Sequence, residues 1–350
     1  MRWTGIYVDA VAARLGEPVP TSWAVADGRY DEEEAARSRQ RAARVSARPA
    51  PDLAVAAGLA ALARSGRPPT DIGLLLHANC YDQGVTFSNV ASYIQREVLG
   101  HGDVTAMELR QMSNGGMCAI ETAAIHLSAV PALRAALVTT GDRFAEPRFP
   151  RWSADKGLVF GDGGTAAVLS RRPGPLRLVA TATYSAPELE GLHRGDDLHD
   201  PPEPGAPLDL AARKRAFLAG FPVAETITRN AEGMLTAVKR CVQDADGDVS
   251  DMAAVLVPFF GADLSHKQCV DPLGIGADDT LLDYGLDIGH LGSGDQVAGL
   301  AHLLGTGRLR PGQRALLVGV GAGFSWTCAV VEVTDEAAER ADAAGEVGSA

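Results

Sequence analysis

Three residue types that together can activate a hydroxyl group lie on separate segments of the chain. Ser113 ends an extended-looking stretch, 108–113, just before two glycines and an Ala-rich helical segment. His290 and Asp295 lie far downstream, in Gly289-His290-Leu-Gly-Ser-Gly-Asp295. A serine hydroxyl is a poor nucleophile near neutral pH unless a base takes its proton, and an aspartate can orient that base. We therefore take Ser113, His290 and Asp295 as candidate catalytic residues.

Each of the three also has a simpler structural interpretation. Serine is a common N-cap residue, so Ser113 could cap the following helix. His290 has glycines at 289, 292 and 294 and could be an exposed loop histidine. Asp295 could be a first-turn acidic residue of the next helix. Capping and catalysis are compatible, because a helix N-terminus also presents N–H groups to a developing oxyanion. The residues alone leave both interpretations open.

The composition excludes several classes of protein. The chain has 350 residues, 46% of them hydrophobic, and a formal net charge of −12. That charge argues against a surface that tracks nucleic-acid phosphates and against an electrostatic membrane anchor. The first residues predict a strand and no signal peptide, and no apolar run reaches the length of a membrane span. The five cysteines show no metal-ligand spacing. We expect a cytoplasmic protein with reduced thiols and no metal site.

Apolar strand-like runs alternate with Ala-rich helical segments, which predicts an α/β fold. The first round includes a strand at 72–77, a helix at 90–98, the strand and elbow at 104–112, a helix at 114–127 and a strand at 135–140. A second round begins near Leu176 and includes a helix at 223–245 and strands at 253–259, 314–320 and 325–333. The rounds are similar in order and size, which indicates a duplicated unit.

We divide the chain on this basis. Residues 1–172 form an N-terminal half that carries the elbow, and residues 173–335 form a C-terminal half that carries the base. Residues 336–350 are small and charged, which predicts a disordered tail.

Two glycine-rich motifs invite a nucleotide-binding interpretation. They are Gly161-Asp-Gly-Gly and Gly319-Val-Gly-Ala-Gly323. Each runs into another strand-like segment rather than a helix, so neither has the context of a dinucleotide fingerprint. We interpret them as tight turns and places of close backbone approach. Cys118, inside the Ala-rich helix, is interpreted as a small packed residue rather than a nucleophile.

Taken together, these segments resemble the ketoacyl synthase III family of the thiolase fold over residues 1 to about 333. Seven pieces carry the resemblance by their order and spacing: Asp71-Ile-Gly-Leu-Leu-Leu, the elbow at 108–119, Phe160-Gly-Asp-Gly-Gly-Thr-Ala-Ala-Val-Leu, Leu256-Val-Pro, Gly285–Ser293, Arg310-Pro-Gly-Gln and Gly321-Ala-Gly-Phe-Ser-Trp. The resemblance implies a five-layered α/β/α/β/α fold of two pseudo-repeated halves, and a homodimer.

The resemblance also shows that all three residues of the family's Cys-His-Asn set have changed. The family's cysteine falls on Ser113, its Val-Pro-His histidine on Phe259 and its Gly-Asn-Thr-Ser asparagine on His290. This pattern is similar to a divergent branch of polyketide pathways with a rebuilt Ser-His-Asp triad, including starter-unit proteins of anthracycline-type pathways that handle propionyl groups. Phe259 would replace a hydrogen-bond donor by an apolar wall of the substrate pocket. Acyl transfer would therefore be retained better than decarboxylative condensation.

The implied activity is transfer of a short, propionyl-like acyl group from acyl-CoA through Ser113 to an acyl carrier protein, which primes a type II polyketide. Some ketosynthase activity could persist. The oxyanion hole would be the backbone N–H groups of Ser113 and Ala322. CoA is only the acyl donor, and no cofactor is implied. The resemblance implies that Trp23 helps to hold the CoA adenine, as a tryptophan does in the family, and that Arg148, Arg151 or Lys156 meets the CoA phosphates.

Two other functions stay open at this point. One is an acyltransferase that esterifies a hydroxyl of a sugar or another small molecule, which an ester donor makes easier than thioester formation. The other is a catalytically silent partner subunit, although an intact Ser113, His290 and Asp295 set argues against it.

Overall fold

The structure is a computed structural model and describes residues 1–195 and 206–336. The strands are β1 Tyr7–Leu15, β2 Glu17–Pro20, β3 Ala42–Val45, β4 Ile72–Ala78, β5 Thr105–Leu109, β6 Ala135–Asp142, β7 Gly163–Ser170, β8 Leu176–Ser185, β9 Ala254–Leu256, β10 Arg314–Gly321 and β11 Ser325–Val333. The helices are α1 Thr21–Ala26, α2 Glu32–Ser38, α3 Ala50–Ser65, α4 Val90–Val98, α5 Gly115–Ala129, α6 Gly191–Arg194, α7 Leu210–Gly220, α8 Val223–Asp244, α9 Ala262–Ser265, α10 Asp271–Leu273, α11 Leu282–Gly285 and α12 Asp295–Gly305.

Nine strands join in one sheet whose order is symmetric about its centre. The order is β5-β4-β6-β7-β1-β8-β11-β10-β9. Outward from β1 lie β7, β6 and β4, and outward from β8 lie their counterparts β11, β10 and β9. The pairing directions also match, since β4–β6 and β9–β10 are parallel while β6–β7 and β10–β11 are antiparallel. The two arms of the sheet are therefore pseudo-repeats.

The buried strands lie between layers of helices. The Ala-rich α5 and the shorter α12 pack between the two arms and form the central cluster with them. On the outer face of the first arm lie α3 and α4, and on the outer face of the second lies α8. Strands β6 and β7 are buried along their whole length, as expected for strands covered on both faces. The layers follow the order α/β/α/β/α of a thiolase fold.

The predicted boundary at residues 172 and 173 falls in the connection between β7 and β8, and the division into two units stays a prediction. Apart from Glu336, the predicted tail lies outside the described residues. In the part that is described, no helix combines the length and apolar character needed to cross a membrane.

Candidate active site

The nucleophile elbow is a tight turn between β5 and α5. Met112 to Asn114 form one 3-10 turn, and Met112 has φ +48°, a region that non-glycine residues rarely adopt. The N-cap of α5 is Asn114, so the N-cap interpretation of Ser113 is wrong. Gly115 and Gly116 follow because a Cβ at either position would overlap Ser293. The elbow thus presents Ser113 at the start of α5 against the loop that precedes α12.

Ser113, His290 and Asp295 lie together at this elbow. The Oγ of Ser113 is 2.7 Å from Nε2 of His290, and Nδ1 of His290 is 2.6 Å from Oδ2 of Asp295. His290 and Asp295 are only 3% and 1% exposed. The Asp295 carboxylate also accepts the backbone N–H groups of Leu291 and Phe259. The carboxylate is therefore fixed, and it fixes in turn the orientation of the imidazole.

This carboxylate also determines the basicity of the histidine. Burial disfavours the charged imidazolium, but the charge of Asp295 and its hydrogen bond outweigh burial, and Asp142 adds to them. The pKa of His290 consequently lies above its ordinary value. A raised pKa strengthens His290 as an acceptor of the Ser113 proton.

The backbone of His290 is held by the glycine-rich motif at 161–164. His290 donates its N–H to Val159 O, and Gly161 donates its N–H to His290 O. A Cβ on Gly161 would overlap Ile288 O, and Gly289 has φ +81°. The motif therefore serves close backbone approach, as the sequence predicts.

A second buried carboxylate, Asp142 at the end of β6, joins the loops around the nucleophile. It accepts the backbone N–H groups of Cys80, Tyr81 and Ser293. Ser293 in turn donates its hydroxyl to Met112 O, next to the nucleophile. Burial raises the pKa of Asp142 to about 6. The Sγ of Cys80 is 3.7 Å from Ser113 Oγ. Burial raises the pKa of the Cys80 thiol well above its usual value, which keeps this thiol protonated.

The predicted oxyanion-hole residues lie on two elements that pack tightly together. Ser113 and Ala322 both line one cavity. Asn114 bonds to Ser325 and Thr327 of β11, and a Cβ on Gly321 would overlap the elbow backbone. These contacts hold the turn between β10 and β11 against the elbow.

The cavity in front of Ser113 has a volume of about 340 Å³ and mainly apolar walls. Its aromatic lining consists of Tyr81, Phe144, Phe149, Phe160, Phe260 and Phe324. The prediction that Phe259 lines this cavity is wrong. The Phe259 ring instead packs against Tyr284, with 5.6 Å between ring centroids, while the Phe260 ring lies 5.9 Å from that of His290. Strand β9 ends at Leu256, and Phe260 donates its N–H to Pro258 O, which closes a tight turn. This turn places the Phe260 side chain, rather than that of Phe259, in the cavity wall.

Of the predicted CoA contacts, Lys156 lines the catalytic cavity. Trp23 and Arg151 instead line a separate groove, where the Arg29 guanidinium lies 5.2 Å from the Trp23 ring centre. Arg151 is buried and pairs with both oxygens of Asp162, so it is held inside the protein. Arg148 is exposed and is not among the described residues that line the catalytic cavity. The two arginines and Trp23 are therefore not brought to Ser113.

Several residues of the site were missed from sequence. Cys80, His193, Asp155 and Lys214 line the cavity, and Asp142 accepts hydrogen bonds from the loops around the nucleophile. Each reaches the site through a long-range contact, and no local motif marks it. Within residues 1–195 and 206–336, no cluster of three or more His, Cys, Asp or Glu side chains could hold a metal ion.

Comparisons with known proteins agree with this site and fold. Residues 242–333 match the family model of the 3-oxoacyl-[acyl-carrier-protein] synthase III C-terminal region. A beta-ketoacyl-[acyl-carrier-protein] synthase III of Streptomyces coelicolor is 28% identical over 298 residues, covering 80% of this chain and 82% of the relative.

Solved structures extend the match to nearly the whole chain. ChlB3, described as an acyltransferase, superposes with a TM-score of 0.89 at 35% identity, covering 95% of this chain and 98% of ChlB3. The synthase III of Xanthomonas oryzae pv. oryzae shares the fold, with a TM-score of 0.77 at 19% identity, covering 95% of this chain and 100% of that structure. The protein is a thiolase-fold enzyme that transfers acyl groups. It belongs to the ketoacyl synthase III family.

Proposed function

We propose that the protein moves a short acyl group from acyl-CoA, through an ester on Ser113, to an acyl carrier protein that primes type II polyketide synthesis. Propionyl is the starting choice of acyl group, and the cytoplasm is the proposed location. The observation that carries the proposal is the 2.7 Å contact between Ser113 Oγ and His290 Nε2, backed by Asp295.

The proposed chemistry has two symmetric steps. In the first, His290 takes the Ser113 proton while Oγ attacks the thioester carbon, and the carbon–sulfur bond breaks. The departing CoA sulfur takes the proton from His290. In the second, His290 takes the proton of the carrier thiol, whose sulfur attacks the ester, and Ser113 recovers its proton. Asp295 remains ionised throughout and stabilises the imidazolium.

In both steps the tetrahedral oxyanion would be bound by the backbone N–H groups of Ser113 and Ala322. Lys156 is the predicted CoA contact that lines this cavity, and we assign it to a CoA phosphate. Trp23 and Arg148 do not line this cavity, and their contact with the far end of CoA stays a prediction.

The walls of the cavity favour transfer over carbon–carbon bond formation. Decarboxylation of a malonyl unit needs donors for the developing enolate. The segment that would supply the family's histidine presents Phe260 to the cavity, and a phenyl ring donates no hydrogen bond. Residual condensation would have to rely on His290, which is already engaged by Ser113 and Asp295.

Reconstitution with purified components tests the proposal. The protein is incubated with propionyl-CoA and one of three acceptors: a holo carrier protein, a malonyl carrier protein or a panel of sugars. We expect propionyl-carrier protein as the main product, and Ser113→Ala should form none. A propionyl ester of a sugar would favour the alternative acyltransferase. No product and no acyl-enzyme with any acyl-CoA would favour the silent partner subunit, against which the assembled triad weighs.

We also propose that the protein is a homodimer that pairs through the edge strand β5. One side of β5 has no partner strand in the described sheet. Beside it, the segment before α4 exposes Val85 and Phe87, and the Phe87 ring is fully exposed. Exposed strand edges and adjacent apolar side chains are common association surfaces. Light scattering should give twice the chain mass, and Phe87→Asp should shift it toward one chain mass. A monomeric wild-type protein would contradict this proposal.

A further inference from the structure

The catalytic cavity has a second polar region besides the triad. It consists of His193 on α6, Asp155 and Lys214 on α7, and all three line the cavity. The His193 ring meets Phe324 edge to face, with 5.8 Å between centroids. Most of the remaining wall is apolar. A ligand in this cavity therefore meets a small group of polar atoms surrounded by aromatic and aliphatic side chains.

Within this group, the Asp155 carboxylate is committed to Lys214. The Nζ of Lys214 is 2.5 Å and 2.6 Å from the two carboxylate oxygens. The distance from His193 Nε2 to Asp155 Oδ2 is 4.0 Å, which is too long for a hydrogen bond. Across residues 1–195 and 206–336, neither ring nitrogen of His193 has a hydrogen-bond partner.

The surroundings keep this imidazole uncharged. Burial and then the positive charge of Lys214 lower the pKa of His193 to about 4, against a smaller opposing effect of Asp155. A neutral imidazole has one N–H donor and one nitrogen acceptor. His193 therefore presents both kinds of hydrogen-bonding atom to the cavity, where a quarter of its side chain is exposed.

The position of His193 is fixed by close packing between α6 and α7. A Cβ on Gly191 would overlap the Phe217 ring, and Gly195 has φ +64° and lies against Arg213. The N–H of Gly195 donates to Gly191 O, and an Arg213 N–H donates to His193 O. The backbone that carries His193 is thus held from both sides.

We propose that His193 binds a hydroxyl group on the acyl chain, so that hydroxyacyl groups are bound and transferred in preference to unsubstituted groups such as propionyl. A ligand that fills the cavity removes water from His193, and an unpaired buried polar atom is costly. A hydroxyl can pair with either ring nitrogen, whereas a carbonyl can only accept. A plain propionyl group would leave the histidine without a partner. The inference rests on the proposed acyl transfer for the identity of the ligand.

Binding to a trapped enzyme tests this subsite without turnover. Ser113→Ala protein is titrated by calorimetry with hexanoyl-CoA and with its 3-, 4- and 5-hydroxy derivatives. We expect one hydroxy derivative to bind about tenfold tighter than hexanoyl-CoA, because sites built for a hydroxyl discriminate against analogues that lack it. Adding His193→Ala should abolish that difference, because hexanoyl-CoA then no longer leaves an imidazole unpaired. His193→Gln, which keeps a donor and an acceptor, should restore part of it.

Two results would overturn the subsite. One is equal affinity for all four thioesters while His193 is present. The other is an equal loss for all four in His193→Ala, which would place the contact on the pantetheine arm. Acylation of Ser113 in the otherwise native protein is measured in parallel. Acyl adducts on Ser113 that form without preference for a hydroxyl would support the proposed function and contradict the hydroxyl subsite. Hydroxyl-selective binding without any acyl adduct on Ser113 would support the hydroxyl subsite and contradict the proposed acyl transfer.

Discussion

Two histidines line the same cavity, each with an aspartate nearby, yet their surroundings give them opposite properties. His290 has its aspartate at hydrogen-bond distance, 2.6 Å, and its pKa is raised. His193 lies 4.0 Å from Asp155, and its pKa is lowered to about 4. Aromatic rings lie against both imidazoles, and burial is the largest cause that lowers each pKa, so burial alone does not separate them. The difference is that Asp155 is already paired with Lys214, whereas the other partners that Asp295 has among the described residues are backbone N–H groups.

The comparison shows how one cavity can hold a base and a neutral hydrogen-bonding group of the same residue type. A carboxylate raises the pKa of a histidine when its charge is available, and a cation paired with that carboxylate opposes the effect. The following predictions test this comparison by changing one member at a time.

The largest effect should come from replacing one of the two histidines, His290. His290→Ala should slow acylation of Ser113 by about 10³- to 10⁴-fold, because an unassisted serine hydroxyl is a poor nucleophile. The matched variant His193→Ala should change acylation by an unsubstituted thioester, such as hexanoyl-CoA, far less, because His193 is not hydrogen-bonded to Ser113. Quench-flow followed by intact mass spectrometry gives both rates. Equal losses in the two variants would show that the histidines do not have separate roles.

A second, smaller effect should follow from Asp295→Asn. Neutral His290 is the base, so the wild-type acylation rate should rise with pH through the raised pKa, above 6.5, and level off beyond it. Asparagine removes the charge that raises this pKa, so the rise should move to lower pH. It also has one acceptor oxygen for three donors, so the plateau should fall by roughly 10²- to 10⁴-fold. A pH–rate profile of single-turnover acylation measures both changes. An unshifted profile would contradict the role assigned to Asp295.

The smallest effect should be electrostatic and confined to His193. Lys214→Met removes a charge that lowers the pKa of His193 and frees the Asp155 carboxylate, so that pKa should rise above about 4, while burial, the larger cause, keeps it below its ordinary value. Titration of ¹⁵N-labelled histidine rings by NMR measures the shift. Lys156→Met is the control, because it removes a cation from the same cavity while Lys214 still holds Asp155. A His193 pKa that stays near 4 in Lys214→Met would mean that the ion pair does not set its charge state.

The sequence was sufficient to predict the helices and strands that have a strong hydrophobic periodicity, and to predict the three residues of the triad. Helix α4 has the predicted bounds, and β10, β11 and α8 differ by no more than one residue at either end. Ser113, His290 and Asp295 lie in glycine-rich segments whose order along the chain indicated a family, and the structure brings them together. These features depend on local pattern, which a sequence displays directly.

The residues that sequence could not place depend on irregular backbone or on long-range contacts. Phe259 is predicted at the pocket because it takes the place of the family's histidine, whereas the turn at Pro258 presents Phe260 instead. Arg151 was assigned to CoA, but its charge is taken by Asp162, eleven residues away. His193 and Asp155 are 38 positions apart, and nothing local connects them. In each case the deciding fact is which partner a side chain already has.

The most direct test of the account is the location of the acyl group in a stopped reaction. Wild-type protein is mixed with propionyl-CoA, quenched in acid and digested, and the modified peptide is sequenced by mass spectrometry. The account predicts one propionyl group on the peptide that contains Ser113, released by mild base, and none in Ser113→Ala. A propionyl group on Cys80 or Cys118 in the wild type, persisting in Ser113→Ala, would contradict it.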